Sequence, residues 1–289
     1  MAKQARSEDA TLMKFPVSEG MTLVADAWGD PGADPILFMH GGGQTRHSWG
    51  GAARALADRG WHTITVDLRG HGDSDWSTTG SYDTKHYVDD LYRMVDQLGR
   101  LPVLVGASLG GSTAMAGVGE AEHEVCRGVV LVDIAPKAEK EGVDRIRSFM
   151  RANLEGFATV EEAADAVAAY RRHRERPKDV SGLHKNLRLK EDGRYYWHWD
   201  PRFMEGARRG NPEYEARIRK AAQQIRVPTL LVRGGASDVV SEEGARDFLK
   251  LVPHGEYVDV TGAGHMVAGD KNDHFTDAVQ DFLSRTFNR

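Results

Sequence analysis

Pro102-Val-Leu-Val-Gly-Ala-Ser-Leu-Gly-Gly111 is the stretch that decides how this 289-residue chain reads. Leu101 to Val105 is a short apolar run with the length and composition of a buried parallel strand. It breaks into Gly106-Ala107-Ser108-Leu109-Gly110, a G-x-S-x-G pattern. Ser112 to Gly119 follows, a run of small residues suited to a helix packed closely on a sheet. A serine in a tight strand-to-helix turn requires neighbours two positions away that carry no side chain. Gly106 and Gly110 meet that requirement. Such a turn lifts the Ser108 hydroxyl out of the sheet at the positive end of a helix, where a base can take its proton. The five residues alone would also suit a glycine-rich turn with an incidental serine. The strand before them and the helix after them favour the catalytic reading.

The flanking sequence alternates in the same way. Thr11 to Val17 and Met21 to Trp28 read as a hairpin, and Ile36 to His40 as a buried strand entering Gly41-Gly-Gly43. Trp49 to Arg59 reads as a helix, Trp61 to Asp67 as a strand, Tyr87 to Leu98 as a helix and Gly128 to Ile134 as a strand. After Val227 the pattern resumes: a strand to Gly234, a helix over Glu242 to Leu251, a strand over Glu256 to Val260 and a last helix from about Asn272. Strands alternating with helices predict an α/β fold with a parallel, doubly wound sheet. Between Pro136 and Pro212 the rhythm changes to helix-like segments such as Glu161 to Arg172, a basic run Arg171 to Lys178 and an aromatic cluster Tyr195 to Trp199. That stretch reads as a helical insertion between two strands of one sheet.

Composition narrows the class. With 40% hydrophobic and 28% charged residues the chain is of ordinary globular type, and its formal charge of −5 supplies no reason to expect nucleic acid or an anionic membrane as partner. A single cysteine, Cys126, excludes an internal disulfide and suits a reducing compartment. No apolar run approaches the roughly 20 residues that span a bilayer, and the first residues lack the apolar core of a secretory signal. The expected location is the cytoplasm. No H-E-x-x-H or clustered histidine motif is present, so neither a metal nor another cofactor is expected.

A serine hydroxyl needs a base, and the base needs a third group to hold its tautomer. Gly262-Ala-Gly-His265 follows the last strand and Gly235-Ala-Ser-Asp238 the one before it. Loops after parallel strands meet at one sheet edge. His265 is therefore the expected base, with His62, His123, His173, His184, His254 and His274 reading as surface or packing residues. Asp238 is the expected acid. Asp133, at the end of another strand, is its competitor, read instead as organising the entry to the insertion. The negative oxygen of a tetrahedral intermediate needs fixed N–H donors. Those of Leu109 and Gly42 are the candidates, with His40 a hydrogen-bonding support behind the loop. Trp49, Trp197 and Trp199 are candidate pocket residues.

The ordered set His40-Gly-Gly-Gly43, Asp67-Leu-Arg-Gly-His-Gly-Asp-Ser74, Gly106-Ala-Ser-Leu-Gly110, Ser237-Asp238 and Gly264-His265 resembles the α/β-hydrolase fold superfamily. The likeness is to its bacterial esterase, cofactor-free haloperoxidase and epoxide hydrolase-like branch. It implies an eight-stranded, mostly parallel sheet flanked by helices, formed by residues 1–136 and 213–289. It also implies a helical cap over residues 137–212 after the sixth strand, and a Ser108–His265–Asp238 triad. Arg69 and Asp73 would fix a structural loop. Relatives of the epoxide hydrolase kind carry aspartate at the elbow; serine at 108 favours acyl carbonyls. The expected activity is hydrolysis of a small carboxylic ester or lactone through an acyl-enzyme. Perhydrolysis, C–C bond hydrolysis and lyase chemistry use the same three residues, and a non-catalytic small-molecule receptor uses the same fold. Oligomeric state is not legible.

Overall fold

An eight-stranded sheet runs through the computed structural model, which describes residues 10–170, 178–205, 211–267 and 272–287. Its strands are β1 (Thr11–Pro16), β2 (Thr22–Trp28), β3 (Pro35–Met39), β4 (His62–Val66), β5 (Val103–Ala107), β6 (Gly128–Val132), β9 (Thr229–Gly234) and β10 (Glu256–Val260). The spatial order is β1-β2-β4-β3-β5-β6-β9-β10. Pairing is antiparallel for β1 with β2 and β2 with β4, and parallel everywhere else. Strands β3, β4 and β6 are buried along their whole length. A sheet covered on both faces has no solvent side, which is why these segments are nearly continuous apolar runs.

Helices α1 (Gly50–Ala57) and α8 (Asn272–Phe287) pack together over one face, and α2 (Thr84–Leu98), α3 (Leu109–Glu120), α6 (Pro212–Gln224) and α7 (Glu242–Leu251) over the other. Register fixes what meets at the sheet's edge. Ala107 is opposite Val132, so Ser108 and Asp133, each one residue beyond its strand, emerge side by side. Val132 lies opposite Val232 and Val260 opposite Gly234, which brings the loops after β9 and β10 to the same edge.

Between β6 and β9 the chain forms α4 (Lys140–Arg151), α5 (Val160–Tyr170), a two-stranded antiparallel sheet of β7 (Leu187–Leu189) with β8 (Tyr195–Trp197), and then α6. The expectation of helices alone is corrected here. Each strand of this hairpin has three residues, too few to show an alternation in sequence. Among the described residues no helix is long and apolar enough to cross a membrane.

Candidate active site

Ser108 occupies the turn between β5 and α3 with φ 47° and ψ −103°, a conformation that side-chain-bearing residues rarely adopt. The flanking glycines make it feasible. A Cβ at Gly106 would stand 2.5 Å from the Gly110 carbonyl oxygen, and one at Gly110 would strike the Met39 backbone. The Ser108 N–H donates to Val132 and the Gly110 N–H to His40, tying the turn to two neighbouring strand ends. Strain of this sort is held by its surroundings and concentrates at functional sites.

His265 sits in the loop after β10, and its Nδ1 lies 2.6 Å from Oδ2 of Asp133. Asp133 is fully buried, with φ 48°. Its Oδ2 also accepts from the Ser237 hydroxyl at 2.6 Å and its Oδ1 from the Gly234 N–H at 3.0 Å. The Ser237 oxygen in turn accepts from the N–H groups of Val239 and Val240. The carboxylate is thus held by three donors and can keep the imidazole in the tautomer that leaves Nε2 open. Asp238, the acid expected from sequence, is placed elsewhere. Its carboxylate pairs with Arg145 on α4 and is partly exposed. The turn through Ser237 directs residue 238 toward the insertion, and the neighbouring serine, rather than the aspartate, reaches the histidine's partner.

The glycine loop after β3 is pinned one peptide at a time. The Gly41 carbonyl accepts from His40 Nδ1 at 2.8 Å and from the Gln44 N–H at 3.1 Å. In a trans peptide the next N–H points the opposite way, so these bonds turn the Gly42 N–H away from His40. The Gly41 N–H donates to Gln44 Oε1, and the Gly43 N–H to His71 Nε2 at 3.1 Å. Among the described residues, the N–H groups of Gly42 and Leu109 take no partner within the protein. Both residues line one cavity with Ser108 and His265. His40 accepts the Leu68 N–H at Nε2, and burial pushes its pKa down to about 4, so it serves as a neutral support. Below it, Arg46 pairs with Asp26, Asp67 and Asp73, and Arg69 with Asp90, bracing the Asp67 to Ser74 loop.

The cavity measures about 1030 Å³. Val143 and Met150 from α4 wall it together with Trp197, Trp199 and Phe203. Trp197 and Trp199 stack with ring centroids 5.0 Å apart. Trp49 does not reach it. Its ring is buried between Phe38 and Phe275, at 5.4 and 5.6 Å, in the core under α1 and α8. The short helical turn Arg46–Trp49 rotates that side chain inward, correcting its assignment to the pocket. Arg171 to Pro177 of the basic run lie outside the described residues. Among the described residues no group of three His, Cys, Asp or Glu side chains could hold a metal ion.

Residues 34–271 match the family model for the alpha/beta hydrolase fold. The chain belongs to the alpha/beta hydrolase family. This hydrolase is similar to an sn-1-specific diacylglycerol lipase of Mus musculus, 29% identical over 98% of this chain and 90% of that protein. It is also similar to an esterase of Mycobacterium tuberculosis, 27% identical over 84% of this chain and 80% of the relative. Among solved structures, an E-2-(acetamidomethylene)succinate hydrolase superposes with a TM-score of 0.81 at 24% identity, over 95% of this chain and 99% of that one.

Sequence reasoning assigns no role to Ser237, which bonds Asp133, or to His198, whose Nε2 lies 3.1 Å from the Gly43 carbonyl oxygen. Ser237 was visible only as the residue before Asp238. His198 lies between the two cavity tryptophans, and nothing local distinguishes it from a packing residue.

Proposed function

We propose that this hydrolase cleaves carboxylic esters, lactones included, through an acyl-enzyme on Ser108. The observation that carries the reading is the Asp133–His265 pair, whose histidine lines the same cavity as a serine held in a strained elbow. The Ser108 oxygen attacks the carbonyl carbon while His265 Nε2 takes its proton. Asp133 holds Nδ1–H and stabilises the imidazolium that forms. The developing oxyanion accepts from the N–H groups of Gly42 and Leu109. Collapse expels the alcohol, which leaves with the proton from His265. Water then attacks the acyl-enzyme, His265 taking its proton; collapse breaks the acyl bond to Ser108, His265 returns the proton to the serine oxygen, and the acid departs and ionises.

Residues 137–212 act as a cap in this reading, supplying the apolar wall. A cavity of about 1030 Å³ lies at the upper end of the roughly 300–1,000 Å³ that holds a drug-sized ligand. That volume supports substrates larger than the simplest esters. A cytoplasmic setting goes with the single, buried cysteine.

The test is turnover of a p-nitrophenyl ester series, acetate to decanoate, by wild type and by Ser108→Ala. Turnover by wild type with a loss of at least about a thousandfold in the variant is expected. Equal rates for the two proteins would overturn the reading.

A further inference from the structure

The glycine loop that carries the Gly42 N–H is clamped by three imidazoles, and one of them comes from the insertion. His40 holds the Gly41 carbonyl and His71 the Gly43 N–H. His198 follows β8, and its Nε2 lies 3.1 Å from the Gly43 carbonyl oxygen. Its other nitrogen, Nδ1, accepts the Gly72 N–H at 2.8 Å. That contact fixes the tautomer: Nδ1 accepts, so Nε2 carries the hydrogen and donates to Gly43. The three rings form a row, with centroids 5.1 Å apart for His40 and His71 and 5.9 Å apart for His71 and His198. His198 is fully buried, and burial pushes its pKa down to about 3, so it stays a neutral clamp.

Three consecutive peptide units, Gly41–Gly42, Gly42–Gly43 and Gly43–Gln44, are therefore each held by a different histidine. Gly43 itself has φ 76°, a backbone with no side chain to resist rotation. Without His198 the last unit loses its side-chain donor and keeps only the Gln44 N–H bond to the Gly41 carbonyl, so rotation at Gly43 is less restrained. The flanking Trp197 and Trp199 line the cavity, so the same three residues touch both substrate wall and oxyanion loop.

We infer that His198 is a positioning residue for the oxyanion hole, through which docking of the insertion sets the aim of the Gly42 N–H. The inference rests on the acyl-transfer reading of Ser108. It predicts an effect on the chemical step rather than on substrate capture, because the oxyanion exists only in the transition state.

The measurement is the rate at which a fluorophosphonate labels Ser108, followed by intact mass. The Ser108 oxygen forms a bond to phosphorus, fluoride leaves with the P–F bonding pair, and the hydroxyl proton passes to His265. His198→Ala should label at least about tenfold more slowly, below the 10²–10³ lost when an oxyanion donor is removed outright. Two conservative variants separate this role from a merely structural one. Glutamine places an N–H where Nε2 stands and should restore the rate to within about threefold. Asparagine reaches only the Nδ1 position; it should keep the Gly72 contact and label as slowly as alanine. If the alanine variant does not fold, the glutamine and asparagine pair decides. Labelling at the wild-type rate by alanine, or by asparagine in preference to glutamine, overturns the inference while the Ser108 reading stands. An unlabelled wild type overturns both.

Discussion

At the scale of single residues, the proposed triad turns on which of two aspartates meets His265, and the structure pairs it with Asp133 where the sequence favoured Asp238. Both follow strand ends, and residue spacing treats them alike. What separates them is direction. Asp133, one residue beyond β6, emerges beside Ser108 because Ala107 and Val132 are in register. Asp238 is turned away to Arg145. Ser237 supplies one of three bonds to the Asp133 carboxylate. Ser237→Ala should therefore lower kcat by about tenfold, the worth of one hydrogen bond to a charged group. Unchanged steady-state rates would exclude that role. The Ser108 backbone offers a second prediction. A non-glycine residue at φ 47° stores about 1–3 kcal/mol. Ser108→Gly should relieve that strain and Ser108→Ala should not, so the glycine variant should be the more stable by about 1 kcal/mol once its larger unfolded-state entropy is offset. Urea unfolding of the two inactive variants checks the sign.

At the scale of elements, the sheet and its flanking helices are legible because each segment carries a complete local signal. Strands such as Ile36 to Met39 are apolar throughout, and α2 ends at Gly99 with φ 64°, the left-handed cap that glycine favours. The five ordered motifs fall at strand ends for the same reason. The insertion is less legible because its order comes from tertiary contacts. The β7–β8 hairpin is anchored by Trp197, which is buried against Phe157, Phe149 and Trp199 at 5.0 to 5.7 Å. Nothing in Tyr195 to Trp199 alone states whether those rings pack in the core or face a cavity, and Trp197 and Trp199 do both. Trp197→Ala should cost about 3–5 kcal/mol, the range for losing a large buried aromatic side chain. A melting temperature unchanged from wild type would mean that the hairpin is held by something else.

At the scale of the whole molecule, neutral buried histidines make stability depend on pH. His40 and His198 titrate near 4 and 3 in the folded chain, both lowered first by burial, against about 6.5 when unfolded. Between those values the unfolded state binds protons that the folded state refuses, so stability rises with pH there. Their contribution is fully present above about pH 6.5 and is lost progressively as pH falls toward 4 and then 3. Urea midpoints at pH 8, 6.5 and 5 should therefore drop at the lowest value. The drop should be smaller in His198→Gln, which removes one of the two groups; an equal drop in both proteins would assign the acid sensitivity elsewhere. The hydrogen bonds that fix the tautomers of these two neutral rings also hold the glycine loop after β3.

The most direct test of the Ser108–His265–Asp133 assignment compares wild type, Asp133→Asn and Asp238→Asn on one p-nitrophenyl ester. Removing the charge that holds the catalytic histidine in its tautomer costs about 10⁴ in kcat in a serine triad. Asp133→Asn should fall by about 10³–10⁴. Asp238→Asn, losing a partly exposed pair with Arg145, should stay within about threefold. The reverse order, with Asp238→Asn inactive and Asp133→Asn near wild type, would contradict the assignment.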